Sequence, residues 1–141
     1  DRFRATFDWT GTADSTPYLC VPVAFESVET IGGGWPQIRD RNRSVALEMR
    51  DRIVAELGWQ PASSDALTGS MVSFMVPQRW RSSSDTGVAG RELLRRLNDD
   101  HGVVIGVATR RETDDLFLRI SAHLHTEVEA VERLIAALRT F

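Results

Sequence analysis

The chain has 141 residues, 42% of them hydrophobic and 26% charged, with a formal net charge of -3. Such a length suits one domain able to bury ~68% of its unfolded surface. The negative balance argues against a nucleic-acid binder, which needs surplus cations to displace counterions. No apolar run approaches the ~20 residues that span a bilayer, so a membrane partner is not expected either.

At the start, Arg4-Ala-Thr-Phe-Asp-Trp-Thr-Gly-Thr12 has alternating character and reads as a short extended segment leading into a loop. Asp14-Ser-Thr-Pro17 then gives a helix start, with Thr16 as the cap and Pro17 at the first helical position, where its missing N–H costs nothing. Tyr18 to Phe25 is apolar on every side. A surface helix shows one apolar stripe, so this one is expected to face a missing domain or a second subunit. It carries Cys20, the sole cysteine, read as a buried small hydrophobe. Pro22 should kink it.

Gly32-Gly-Gly34 reads as a linker, since it lacks the strand before it and the lysine after it that mark a phosphate loop. Pro36 opens a second helix with Ile38, Val45, Met49, Ile53 and Leu57 at helical spacing and Gly58 as the stop. Gln60 to Ser70 reads as a loop and Met71 to Val76 as a strand. After a Ser-rich loop, Asp85 or Thr86 caps a helix through Leu93, Leu94 and Leu97, which ends at Gly102.

Val103-Val-Ile-Gly-Val107 is a second strand, Arg110 to Asp115 a charged turn, and Leu116 to Ser121 a third strand. Val128, Val131, Leu134, Ile135 and Leu138 mark a last amphipathic helix. The fold class is therefore α/β of the α+β kind: a small, mostly antiparallel three-stranded sheet with helices packed on one face, preceded by an apolar linking helix. The division expected is 1–34 for the linking loop and helix and 35–141 for the small domain.

Along the third strand, alternation puts Arg119 with Phe117 and Ser121, opposite Leu116, Leu118 and Ile120. On that ground alone it is a surface arginine, salt-bridged or ligand-binding. His123 and His125 fall on one extension of the same strand, with Asp114 or Asp115 as conceivable neighbours. A metal site needs three or four converging ligands, so a place at a substrate entrance or a plain surface position suits these histidines better, and no metal is expected. Trp9, Trp35, Trp59 and Trp80 lie in separate elements and read as core or interface residues.

Two segments carry a resemblance: Phe7-Asp-Trp-Thr-Gly-Thr12, and Leu118-Arg-Ile-Ser-Ala-His-Leu-His-Thr-Glu127 before the last helix. Their separation and the intervening Gly34-Trp-Pro-Gln-Ile-Arg-Asp-Arg-Asn-Arg43 belong to the same resemblance. Together they resemble the C-terminal small domain of fold-type-I pyridoxal-phosphate enzymes, in the class V aminotransferase family, of the isopenicillin-N-epimerase-like and cysteine-desulfurase-like kind. The resemblance implies that Arg119 pairs with the substrate α-carboxylate. It implies that Gly11 and Thr12 reach the cofactor phosphate of the neighbouring subunit of a homodimer. It also implies an amino-acid substrate, a large cofactor-binding domain as partner, and epimerisation or racemisation at Cα, or a related lyase or aminotransferase reaction.

The departures matter as much. All 17 basic residues are arginine, so the family's Schiff-base lysine is absent and the chain alone is expected to be inactive and to bind no pyridoxal phosphate. Residues His101 to Asp115 hold no cysteine, against the desulfurase pattern, and His125-Thr-Glu127 is one residue shorter than usual. The rival reading is a free-standing binding or dimerisation module without chemistry. With no leader resembling a secretory signal at Asp1-Arg2-Phe3-Arg4, the cytoplasm is the expected compartment.

Overall fold

The computed structural model describes residues 2–8, 11, 14–110 and 112–141. The chain falls into two compact units, residues 1–37 and 38–141. Among the described residues no helix is long and apolar enough to cross a membrane.

The first unit holds α1 (Arg2–Phe7) and α2 (Thr16–Ile31). Helix α1 replaces the extended segment expected from the alternation. Its residues pair at helical spacing instead: the Phe3 and Phe7 rings lie 4.8 Å apart, and Arg4 Nε donates to Asp8 at 2.8 Å. Residues four apart are neighbours on a helix surface, and such pairs favour it locally. At the start of α2 the N-cap residue is Ser15, whose side chain makes no capping hydrogen bond; Asp14 Oδ1 accepts from the Thr16 N–H at 2.9 Å, and Thr16, expected to be the cap, is the first helical residue. Pro17 sits in the first turn and Pro22 inside the helix. No residue of α2 is buried. Cys20, expected to be buried, is exposed, because burying a side chain on an all-round apolar helix takes neighbours around its whole circumference.

In the second unit the sheet comprises β1 (Met71–Met75), β2 (Gly106–Arg110) and β3 (Asp115–Ser121). Their spatial order is β1-β3-β2, and both pairings are antiparallel. Leu118 lies opposite Phe74 on one side and Val107 on the other. Leu116, Leu118 and Ile120 are buried with Val72 and Phe74, whereas Arg119 and Ser121 are exposed. The three helices α3 (Trp35–Leu57), α4 (Thr86–His101) and α5 (Ala130–Leu138) cover the buried face. They do so with Met49 and Ile53, Leu93 and Leu97, and Val131, Leu134 and Leu138. Trp59 is fully buried in the same core and meets Phe74 and Trp80 edge-on. Gly90 lets α4 lie close to the sheet, since a Cβ there would come within 3.1 Å of Leu116 and Val107.

The termini of α4 follow the sequence signals. Asp85 accepts from the Val88 N–H at 2.9 Å, and Gly102 closes the helix in a left-handed conformation, φ 63°. That closure shortens β2. The Val103 N–H donates to the Leu97 carbonyl at 2.8 Å, so Val103 serves the helix end, and the strand begins at Gly106 rather than at Val103. The stretch Gln60 to Ser70 is more ordered than a plain loop. Pro61 bridges to Phe74, Asp65–Leu67 forms a 3-10 turn, and Arg50 of α3 donates to both Asp51 and Asp65.

Two outcomes test this architecture. Leu118→Ala, at the centre of the sheet, should cost about 2–5 kcal/mol in a denaturant titration, the range for a leucine truncated in a packed core. Hydrogen bonding from Arg50 holds the Asp65 carboxyl below its ordinary range. A depressed carboxyl stabilises above its unfolded pKa of ~3.9 and loses that contribution as pH falls through the folded value. Urea midpoints should therefore decline below about pH 4, and less steeply for Asp65→Asn than for the parent chain; equal slopes would remove Asp65 as a source of the acid sensitivity.

Candidate functional site

Arg119 occupies the middle of the central strand, and its strand neighbours decide where its guanidinium can go. Cross-strand from it are Ser73 and Gly106. A Cβ on Gly106 would stand 3.2 Å from Nε and Nη2 of Arg119 and 3.5 Å from Cζ. The guanidinium therefore lies over the glycine, on space that any side chain would fill. Among the described residues, Arg119 has no hydrogen-bond or ion-pair partner.

Beside it opens a cavity of about 510 Å³, whose lining includes Arg119, Gly106, Ser121, His125 and Arg133 together with the apolar Met49 and Leu134. That volume lies within the usual range for small-molecule sites, ~300–1,000 Å³. The expectation that two histidines share a strand face is corrected. The strand ends at Ser121, and His123 and His125 belong to the segment and turn that follow, their rings 4.9 Å apart. His125 lines the cavity, and His123 is not among the lining residues. Asp114 and Asp115 stand at the opposite end of β3, where Asp114 accepts from Thr86 at 2.9 Å. Among the described residues no three His, Cys, Asp or Glu side chains converge as metal ligands.

The turn holding His125 is fixed from two directions. Within it, the His123 N–H donates to Thr126 Oγ1 at 3.0 Å, and the Thr126 N–H to the His123 carbonyl at 2.8 Å. From α3, Arg41 donates to the His123 carbonyl at 3.0 Å and to the Thr126 carbonyl at 3.2 Å. One guanidinium fork thus satisfies two carbonyls that the strand no longer pairs.

Sequence reasoning missed Arg41, Gly106 and Arg133. A glycine inside a strand run is a sign of close approach by another group, so Gly106 carried a usable signal. Arg41 and Arg133 are charged residues on amphipathic helices, and no local pattern separates them from their solvated neighbours. Of the residues assigned to the cofactor, Gly11 is exposed in a bend with φ +103°, where an added Cβ would meet nothing within 4 Å. Thr12 lies outside the described residues, as does Trp9. The sequence contains no lysine.

No family model matches the chain. It is 28% identical to a probable chloroplastic L-cysteine desulfhydrase from Arabidopsis thaliana over 136 residues, 92% of this chain and 28% of that protein. It is 29% identical to isopenicillin N epimerase of Streptomyces clavuligerus over 145 residues, 98% of this chain and 33% of that protein. The chain thus spans about a third or less of the length of these curated relatives. The similarity covers most of the chain and supports a relationship to these two enzymes at the level of a family.

Proposed function

We propose that the chain is the small domain of a pyridoxal-phosphate enzyme acting on an amino acid, with Arg119 as the ligand of the substrate α-carboxylate. The observation that carries this reading is the Arg119 guanidinium laid over Gly106, without a partner among the described residues, at the edge of the 510 Å³ cavity. A guanidinium offers two parallel N–H donors to one carboxylate, and a fixed carboxylate limits rotation of the attached Cα. The two relatives, one named an epimerase and the other a desulfhydrase, support chemistry on an amino-acid-derived substrate. The reaction most in keeping is epimerisation or racemisation at Cα, with a related lyase or aminotransferase reaction as the neighbouring choice.

In this reading the cofactor and its lysine come from a large domain of the same enzyme. Gly11 and Thr12 approach the cofactor phosphate of a second subunit. Glycine permits close approach there, and a hydroxyl with backbone N–H groups can donate to phosphate. The apolar α2 packs against those missing partners, where Tyr18, Leu19, Val23 and Phe25 leave solvent. His125 lines the substrate entrance, and His123 supports it from the same turn.

Arg119→Lys keeps the charge and loses the planar fork. In the complete enzyme it should cost about 2–4 kcal/mol, roughly 30- to 1000-fold in kcat/KM, with Tm near that of the parent. Unchanged kcat/KM in both Arg119→Lys and Arg119→Ala would remove the carboxylate role. Gly106→Ala tests the positioning separately. The added methyl displaces the guanidinium, so KM should rise severalfold while stability shifts by less than about 1 kcal/mol. A variant with native stability and unchanged KM would show that the glycine is not needed to place Arg119.

A further inference from the structure

We infer that the cavity beside Arg119 takes an amino acid carrying a second acid group, and that Arg133 binds that group. The inference rests on the carboxylate role proposed for Arg119. Three observations lead to it.

The first is charge. Arg119, Arg133 and His125 line the same cavity, and among its described lining residues there is no Asp or Glu. A cavity lined by two guanidinium charges and no acid of its own among the described residues can accept two negative charges from a ligand. One carboxylate answers only one of the two forks.

The second is how the neighbouring arginines are used. Arg52 holds Glu132, the residue before Arg133. Arg139, the C-cap of α5, holds Glu56, and Arg95 holds Glu92. Arg133, like Arg119, has no hydrogen bond or ion pair among the described residues. Arg133 thus carries no intramolecular acid partner among the described residues.

The third is the make-up of the lining. Beside its cationic groups the cavity is lined by apolar side chains, Met49 and Leu134 among them. An α-amino acid with a short methylene chain ending in an acid offers both kinds of surface.

The test is a titration of the 141-residue chain, following the Arg Nε–H signals by NMR. L-Glutamate is compared with L-norvaline, and L-aspartate with L-2-aminobutyrate, so that each diacid faces a monoacid of equal chain length. At least one diacid should bind about tenfold or more tightly than its match, as a second charge-assisted pair would produce. Arg133→Gln should abolish that preference and leave monoacid binding within about twofold, while Arg119→Gln should weaken both ligands. Equal binding of both diacids and their matches, or a preference that survives Arg133→Gln, would overturn the second acid group and leave the role of Arg119 intact. If Arg119→Gln weakened neither ligand, the carboxylate role itself would fall, and with it this inference. Inorganic phosphate forms a further arm. Tighter binding of phosphate than of either diacid, dependent on both arginines, would replace the diacid with a phosphate group. No binding of any probe would also overturn the inference.

Discussion

The antiparallel seating of β3 between β1 and β2, with Leu118 opposite Phe74 and Val107, is the constraint on which the second unit depends. Side chains along a strand alternate between faces. Burial of Leu116, Leu118 and Ile120 therefore compels Arg119 onto the other face, and the pairing fixes its height there. A slip of one residue would carry the guanidinium into the core and the leucines into water. Both changes are costly, so the energy that packs the core also holds the register of the candidate site. Arg119 is placed by hydrophobic burial on the reverse of its own strand.

Arginine supplies every basic side chain, and the structure divides the work among them. Some are internal braces. Arg41 clamps the turn at His123 and Thr126, Arg50 ties the 3-10 turn at Asp65 to α3, and Arg81 donates to the carbonyls of Val76 and Asp114. Each joins segments distant in sequence through a planar fork that can satisfy two acceptors at once. The partly buried braces exclude more water than an exposed pair does, and an exposed pair is worth little. Arg119 and Arg133 line one cavity, and neither is committed to a protein acceptor among the described residues.

The first unit poses a different physical problem. Helix α2 exposes Tyr18, Leu19, Val21, Val23 and Phe25, and contiguous apolar surface of this kind marks an interaction site in folded proteins. The curated relatives are about three times as long as the chain, or longer. Under the proposed function the remainder of the enzyme covers this helix, which reconciles its all-round apolarity with its lack of burial here.

Much of the second unit was legible because its signals are local. The stripe of Ile38, Met49 and Ile53, the Asp85 cap, the stop at Gly102 and the alternation along β3 each depend on residues a few positions apart. Helix α1 escaped because a pattern compatible with a strand was also compatible with i, i+4 pairs between Phe3 and Phe7 and between Arg4 and Asp8. The start of β2 escaped because an apolar run does not reveal that Val103 is taken by the helix end before the sheet can use it. For the site, the sequence by itself determined that Arg119 faces away from the core and that no lysine is present. Only the tertiary structure decided that Gly106 lies beneath the guanidinium, that His125 and Arg133 reach the same cavity, and that His123 does not. These are meetings between residues far apart along the chain, and strand register and helix packing, rather than local propensity, bring them about.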